Sequence, residues 1–500
     1  MRSSQGLRSG GVALVSTWAA AILIVHVLSG GRYGFHRDEL ATLDDARHLA
    51  WGYVAYPPVT PFFGWVSLHL IGTSLTGFRF FAACAASGGI VVTGLMAREL
   101  GGGRAAMLLA AFAATPFALA CGSLMQYVAF DYLCWISAAY FFVFLCKSGD
   151  PRWWLPLGAT IGIGMLTKYS MLFCVAGIVA GVIATPLRRH LSSTWLWLGA
   201  AASVVIFLPN IIWQAQHGFV SLEFLRHIHA RDVRIGRTKD FLPDQWTLNF
   251  FGLLLAIIGL WYYFFSREQR QWRALGWLYV VPFVLFLVSQ GRGYYLAPAY
   301  PLLFAGGAVC LEKVLTRWRP LSRRLAYGAM GLALSAGIAV MAACVLPIAP
   351  IHSRWWNFAV AVNGDLPEEI GWPELVETIA AVRDKVPQAE RQHLAILAGN
   401  YGEAGAVNLY GPQYHLPSAI SGTNSFWWRG YGDSPPETVI VVGFDREFVD
   451  CYFSSSELVA HVSNREDVAN EETTRHPDIF LCRGLKVPWP EFWKNFQRFG

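Results

Sequence analysis

The chain has 500 residues, of which 54% are hydrophobic and 14% charged, with 21 Trp and 33 Phe. Soluble domains carry about 25% charged residues, so this composition excludes an ordinary soluble protein and describes a polytopic membrane protein. Its formal charge of +6 then reports how loops sit relative to a bilayer, and calls for no nucleic-acid partner.

Apolar runs near the roughly 20 residues needed to cross a bilayer lie at 11–30, 78–97, 104–120, 128–146, 153–168, 170–186, 195–213, 246–265, 274–289, 294–314 and 326–346, about eleven spans. The stretch from Trp153 to Pro186 reads as one bent element or as two crossings joined at Lys168 and Tyr169. The first run is longer than the roughly 7 to 15 residues of a signal-peptide core and no small-residue cleavage site follows it, so an uncleaved span is expected. Basic residues collect in alternate short connections: Arg2 and Arg8, Arg98 and Arg104, Lys147 and Arg152, Arg188 and Arg189, Arg267 to Arg273, and Lys313 to Arg324. The positive-inside rule makes these cytoplasmic, with the N-terminus inside and everything after about residue 347 outside.

Two of the loops on the outer side are long. The loop 31–77 carries Asp38 and Glu39, then Asp44 and Asp45, and further on Trp51, Tyr53, Tyr56, Pro57 and Pro58. An amphipathic helix is expected from near Leu40, with Asp44 and Asp45 on its solvent face. The loop 214–245 carries Arg226, Arg231, Arg234, Arg237 and Lys239 with His217, His227 and His229. Long loops are translocated with little regard to charge, so the topology stands. Such a cluster suits a phosphate or anionic head group, or forms a solvated basic face against lipid.

The segment 347–500 loses the membrane-length runs and reads as a small external α/β domain, leaving 1–346 as the transmembrane part. Helical periodicity covers 373–386, short buried strands cover 393–399 and 437–443, and a helix follows from Asp445. Gly402-Glu-Ala-Gly405 is too short for a phosphate loop and reads as a helix start. Cys451 and Cys482 fall in an oxidising compartment and are able to pair; the other seven cysteines serve as small apolar side chains.

Ionisable side chains at a membrane boundary cost free energy and need a reason. The topology gathers Asp38, Glu39, Asp131, Lys168 and Arg292 at one face from distant parts of the chain. Asp38 suits a base that takes a proton from a hydroxyl, and equally an N-cap for the helix beginning near Leu40. Asp131 is a cavity acid or an interfacial N-cap. Lys168, Arg292 and Tyr295 suit a leaving phosphate, or act as snorkelling anchors and aromatic belt.

Arg37-Asp-Glu-Leu40, Ala55-Tyr-Pro-Pro-Val59, Tyr127-Val-Ala-Phe-Asp131, Leu166-Thr-Lys-Tyr169 and Gly291-Arg-Gly-Tyr-Tyr-Leu-Ala-Pro-Ala-Tyr-Pro301 give residues 10–345 a resemblance to the bacterial GT-C glycosyltransferases. More narrowly the chain resembles the family 39 and protein-mannosyltransferase-like group, which includes the aminoarabinose transferases that modify lipid A. That resemblance implies a GT-C fold of about 11 to 13 transmembrane helices in the inner membrane, with a periplasm-facing site. It further implies inverting transfer of a sugar from a polyprenyl-phosphate donor to a lipid, glycan or protein acceptor. By motif position Asp38 is the base, and Glu39, Tyr127, Asp131, Lys168, Arg292 and Tyr295 line the substrate site. One departure is that Ala55 and Tyr56 stand before the paired prolines, where the aminoarabinose transferases usually carry a lysine. His36, His48 and His69 form no recognisable metal set, so no obligatory metal is expected, and a divalent cation stays open. The competing class is a transporter or flippase for a polyprenyl-linked or other anionic lipid, which would set its ionisable groups nearer the midplane and often in repeated halves.

Overall fold

The computed structural model describes residues 2–500, and the side chains of all of these except 2–9 and 267–269. The side chains of Arg2, Arg8 and Arg267, counted above as inward-facing, lie outside that description. The chain begins with α1 (Arg2–Ser29), followed by two short helices in the first loop, α2 (Arg37–Arg47) and α3 (Val59–Leu70). Next come α4 (Leu75–Glu99), α5 (Arg104–Gly122), α6 (Tyr127–Ser148), α7 (Trp154–Met165), α8 (Met171–Ile183) and α9 (Thr194–Gln216). The basic loop folds into α10 (Val220–Arg234) and leads to α11 (Phe241–Asn249) and α12 (Gly252–Phe265). The bundle closes with α13 (Arg273–Val288), α14 (Tyr300–Leu315) and α15 (Pro320–Val345).

Among the described residues, eight helices are long and apolar enough to cross a membrane, or up to ten if two bent pairs each count as a span. This is fewer than the eleven runs counted from sequence, and the difference has a local cause. The stretch 153–186, read as one bent element or as two crossings, forms α7 and α8, of 12 and 13 residues, about 18 to 20 Å long against a hydrocarbon core of about 30 Å. The run 246–265 is also broken, since α11 and α12 meet at 107° where Phe250 takes a φ of 45°. Among the spans, α5 touches α1, α4, α14 and α15. Its buried Ala106, Ala110, Ala111, Ala113, Ala114 and Ala118 allow the close backbone approach that membrane helices use.

After α15 come α16 (Arg354–Val362) and α17 (Trp372–Lys385), and then a five-stranded sheet. The strands are β1 (Leu394–Ala398), β2 (Ala419–Ile420), β3 (Thr438–Val442), β4 (Phe453–His461) and β5 (Asp478–Leu485), in the order β2-β1-β3-β5-β4. The pairs β1–β2 and β1–β3 are parallel, and β5 runs antiparallel to both β3 and β4. The all-apolar runs of β1 and the fully buried β3 follow from cover on both faces. Ile396 and Ile440 face the large core, whereas Leu397 and Val441 pack with Phe444, Phe453 and Phe492.

The strands and helices expected between 373 and 445 form at or within a residue or two of their places. Gly402 and Gly405 open α18 (Tyr401–Tyr410), where Asn400 and Glu403 make a capping box. Those glycines also serve packing: a Cβ on Gly405 would stand 2.8 Å from the backbone of Leu40 in α2, so α18 lies directly against α2. Cys451, exposed on α19 (Arg446–Tyr452), and Cys482, buried on β5, are both free.

Candidate active site

The segment before α2 starts the helix earlier than its pattern suggests. His36 is the N-cap; its Nδ1 accepts from the Asp38 amide at 3.2 Å, and Glu39 accepts from the His36 amide at 2.9 Å. Asp38 is therefore inside the first turn rather than at its cap, and its side chain is free for other work. Its Oδ1 accepts from the Tyr401 hydroxyl at 2.8 Å and its Oδ2 from Gln126 Nε2 at 3.0 Å. The carboxylate is 44% exposed.

Glu39, about 100° further round the helix, is fully buried. Arg79 grips it through Nε at 2.9 Å and Nη2 at 2.7 Å, and the amides of His36 and Met125 donate to the same oxygens at 2.9 and 2.8 Å. These four bonds leave it no acceptor position for a substrate.

Asp44 and Asp45 overturn the solvent-face expectation. Both are buried because α18 and the turn 424–429 cover this side of α2. Arg429 bridges the two carboxylates, Asn408 donates to Asp44 at 2.7 Å, and Tyr56 donates to Asp45 at 2.7 Å.

At the other side of Asp38 stands Tyr127, the first residue of α6, within electrostatic reach of Asp38, Tyr295 and Arg292. Lys168 lies in the turn between α7 and α8, and its Nζ is 4.2 Å from the ring centre of Tyr295, 4.8 Å from that of Tyr127 and 5.1 Å from that of Tyr294. Among the described residues no carboxylate comes within 4 Å of it; the ammonium sits in an aromatic cage that attracts it by cation–π contact, and the charge of Asp131 acts on it from further away. Arg292 precedes the 3-10 turn Gly293–Ala299 and meets the buried Asp232 of α10 at 2.6 Å through both Nε and Nη2.

Asp131 is four residues into α6, whose N-cap is Gln126, so the capping alternative does not apply to it either. It is 2% exposed and accepts from Ser170 Oγ at 3.1 and 3.2 Å. It faces the turn that carries Lys168.

The residues singled out from sequence thus fall into a near group (Asp38, Tyr127, Lys168, Tyr295, Arg292) and an enclosed pair (Glu39, Asp131). Sequence reasoning missed Gln126, Ser170, Asp232, Tyr294 and Tyr401. Asp232, the lone acid in the middle of a basic run, was a readable signal. Tyr401, 363 residues from its partner, carried none. In the basic loop Arg226, Arg234, Arg237 and Lys239 are exposed, while Arg231 is half-buried and close enough to act on the Tyr401 phenol.

Residues 55–213 match the family model described as dolichyl-phosphate-mannose-protein mannosyltransferase. The lipid A galacturonosyltransferase RgtD of Rhizobium johnstonii is 25% identical over 209 residues, 39% of this chain. The chain covers only 40% of that relative's length. Crystal structures of ArnT from Cupriavidus metallidurans, one apo and one bound to undecaprenyl phosphate, share 16% identity with the chain. They superpose with TM-scores of 0.60 and 0.58, over 95% of this chain and 98% of theirs. The chain therefore shares the fold of those two ArnT structures over nearly its whole length, while the family match is confined to residues 55–213.

Proposed function

We propose that this protein is an inverting glycosyltransferase that moves a sugar from a polyprenyl-phosphate donor to a nucleophile on the acceptor, with Asp38 as general base. The observation that carries this reading is the pairing of a half-exposed carboxylate with a caged lysine that makes no ion pair within 4 Å among the described residues, across the Tyr127 ring. A sugar hydroxyl has a high pKa, so a base must take its proton as the bond to C1 forms. The bond from C1 to the lipid phosphate breaks on the opposite face, which inverts the anomeric centre.

Negative charge then grows on the departing phosphate. Lys168 and the Tyr295 hydroxyl meet it, and Arg292 adds the Nη1 edge that Asp232 leaves unused. Asp131 acts through Ser170 to hold the lysine turn, and Glu39 acts through Arg79 to hold the α2 start. The undecaprenyl phosphate seen in ArnT supports the donor class, and the name of RgtD supports a glycolipid acceptor. The arrangement of basic loops supports an inner-membrane protein with this site and residues 347–500 on the periplasmic side.

The test is transfer from defined polyprenyl-phosphate sugars by the wild type and by Asp38→Asn in detergent or nanodiscs. A positioned base contributes about 10² to 10⁴ in rate, and the variant should lose that factor while still binding donor. Full transfer by Asp38→Asn removes Asp38 as the base. Absence of transfer from every donor by the wild type sends the protein to the lipid-transporter class.

A further inference from the structure

The helix α18 belongs to the C-terminal unit, yet its first residue reaches the proposed base. Tyr401 Oη donates to Asp38 Oδ1 at 2.8 Å, and the close seam at Gly402 and Gly405 against Arg37 and Leu40 fixes that reach. We propose that Tyr401 is a positioning residue supplied by the C-terminal unit, which holds the Asp38 carboxylate ionised and turns its second oxygen toward the acceptor. This assignment rests on the reading of Asp38 as base.

Three features support it. The Tyr401 phenol is enclosed, and burial first, then the charge of Asp38, push its own proton loss far above the ordinary range; it stays a donor at any working pH. Its single hydroxyl proton is spent on Asp38 Oδ1, which leaves Oδ2 shared between Gln126 and whatever hydroxyl arrives. The other charged or titratable groups around Asp38 are few. His36 lies 4.0 Å from Oδ2, Arg37 is occupied by Glu368, Glu471 and Glu472, Tyr127 approaches from α6, and Arg231 of α10 stands behind Tyr401. Hence the phenol is the one neutral donor that reaches Asp38 from the sheet-bearing unit.

The experiment measures protonation of Asp38 without needing turnover. Dicyclohexylcarbodiimide reacts with protonated carboxyls, and peptide mass spectrometry reads its adduct on Asp38 as a function of pH in purified full-length protein. In Tyr401→Phe the pH of half-maximal labelling should rise by about one to two units, the worth of a hydrogen bond to a charged acceptor. Replacing Tyr401 by 3-fluorotyrosine, a slightly stronger donor of nearly the same shape, should move it the other way. That second variant decides the matter if the first unfolds.

In transfer assays the acid limb of the rate profile should move with the labelling, while the KM for donor stays within about twofold. An unchanged labelling midpoint in both variants overturns the assignment. A labelling shift in a protein that transfers no sugar upholds Tyr401 as the holder of Asp38 and defeats the transferase reading alone, so the two failures are distinguishable.

Discussion

Arg79 gives the sharpest test of how the site is held. It is 3% exposed, binds Glu39 twice and Glu369 once at 3.0 Å, and also donates to the carbonyls of Gly30 and Gly34 at 3.1 and 3.0 Å. In Arg79→Met two buried carboxylates lose their only guanidinium. Breaking a buried pair from one side costs about 3 to 5 kcal/mol, and each stranded carbonyl adds about 1 kcal/mol.

The loss should depend on pH, with a definite sign. Burial foremost, and the neighbouring Glu39 charge as well, push Glu369 up to about 7 from 4.5, while Arg79 pulls it down. A carboxyl whose folded value is raised contributes stability that is complete below about pH 4.5 and lost as pH climbs through 7. Without Arg79 the downward pull disappears, so the penalty for ionising Glu369 grows. The stability gap between wild type and variant should therefore widen from pH 5.5 to pH 8, read as apparent melting temperature by fluorescence-detected size exclusion. A gap equivalent to less than about 1 kcal/mol, or one that narrows toward pH 8, refutes the argument.

Three further outcomes follow from the same geometry. Lys168→Met removes the caged cation and should lower single-turnover sugar transfer by about 10² to 10³, the usual cost of one preorganised donor to a developing anion; rapid-quench assays with labelled donor measure it. Ser170→Ala leaves buried Asp131 without its hydroxyl donor and should cost about 1.5 to 3 kcal/mol, seen as a lower melting temperature. Gly405→Val drives a side chain into the Leu40 backbone. It should cost about 1 to 3 kcal/mol by overpacking, and should expose α18 and α2 together in hydrogen exchange.

Much of the fold was legible because the signals were local. The membrane runs, the strands at 394–398 and 438–442, and the Asp445 cap each announce themselves within a few residues. Where local signals misled, tertiary contact had decided. Asp44 and Asp45 look like a solvent face until Arg429 arrives from 384 residues away. The 246–265 run is predominantly apolar, yet it breaks at Phe250, next to the buried Asn249, where the backbone adopts a conformation that composition does not encode. At the site the acids and the lysine could be named, because charges near lipid stand out. The neutral groups that aim them, Gln126, Ser170 and Tyr401, are ordinary residues in the sequence and become visible only when distant segments meet.

Those neutral groups explain why Asp38 differs from every other carboxylate on α2. Glu39 is held by Arg79, Asp44 and Asp45 share Arg429, and the basic Arg37 of the same helix is matched by Glu368, Glu471 and Glu472. Each of these charges is cancelled by an opposite one, as burial demands. Asp38 is contacted instead by an amide and a phenol, and the nearby His36 uses Nδ1 to accept the Asp38 amide proton, the role of an uncharged ring nitrogen. Neutral donors fix the direction of a carboxylate without neutralising it, so its charge remains available, as the proposed role of base requires. A cation in the place of Tyr401 would hold the group as firmly and would make it a weaker base. The helix therefore places its strong ion pairs where they anchor the segment, and leaves uncompensated charge only at the most exposed of its carboxylates.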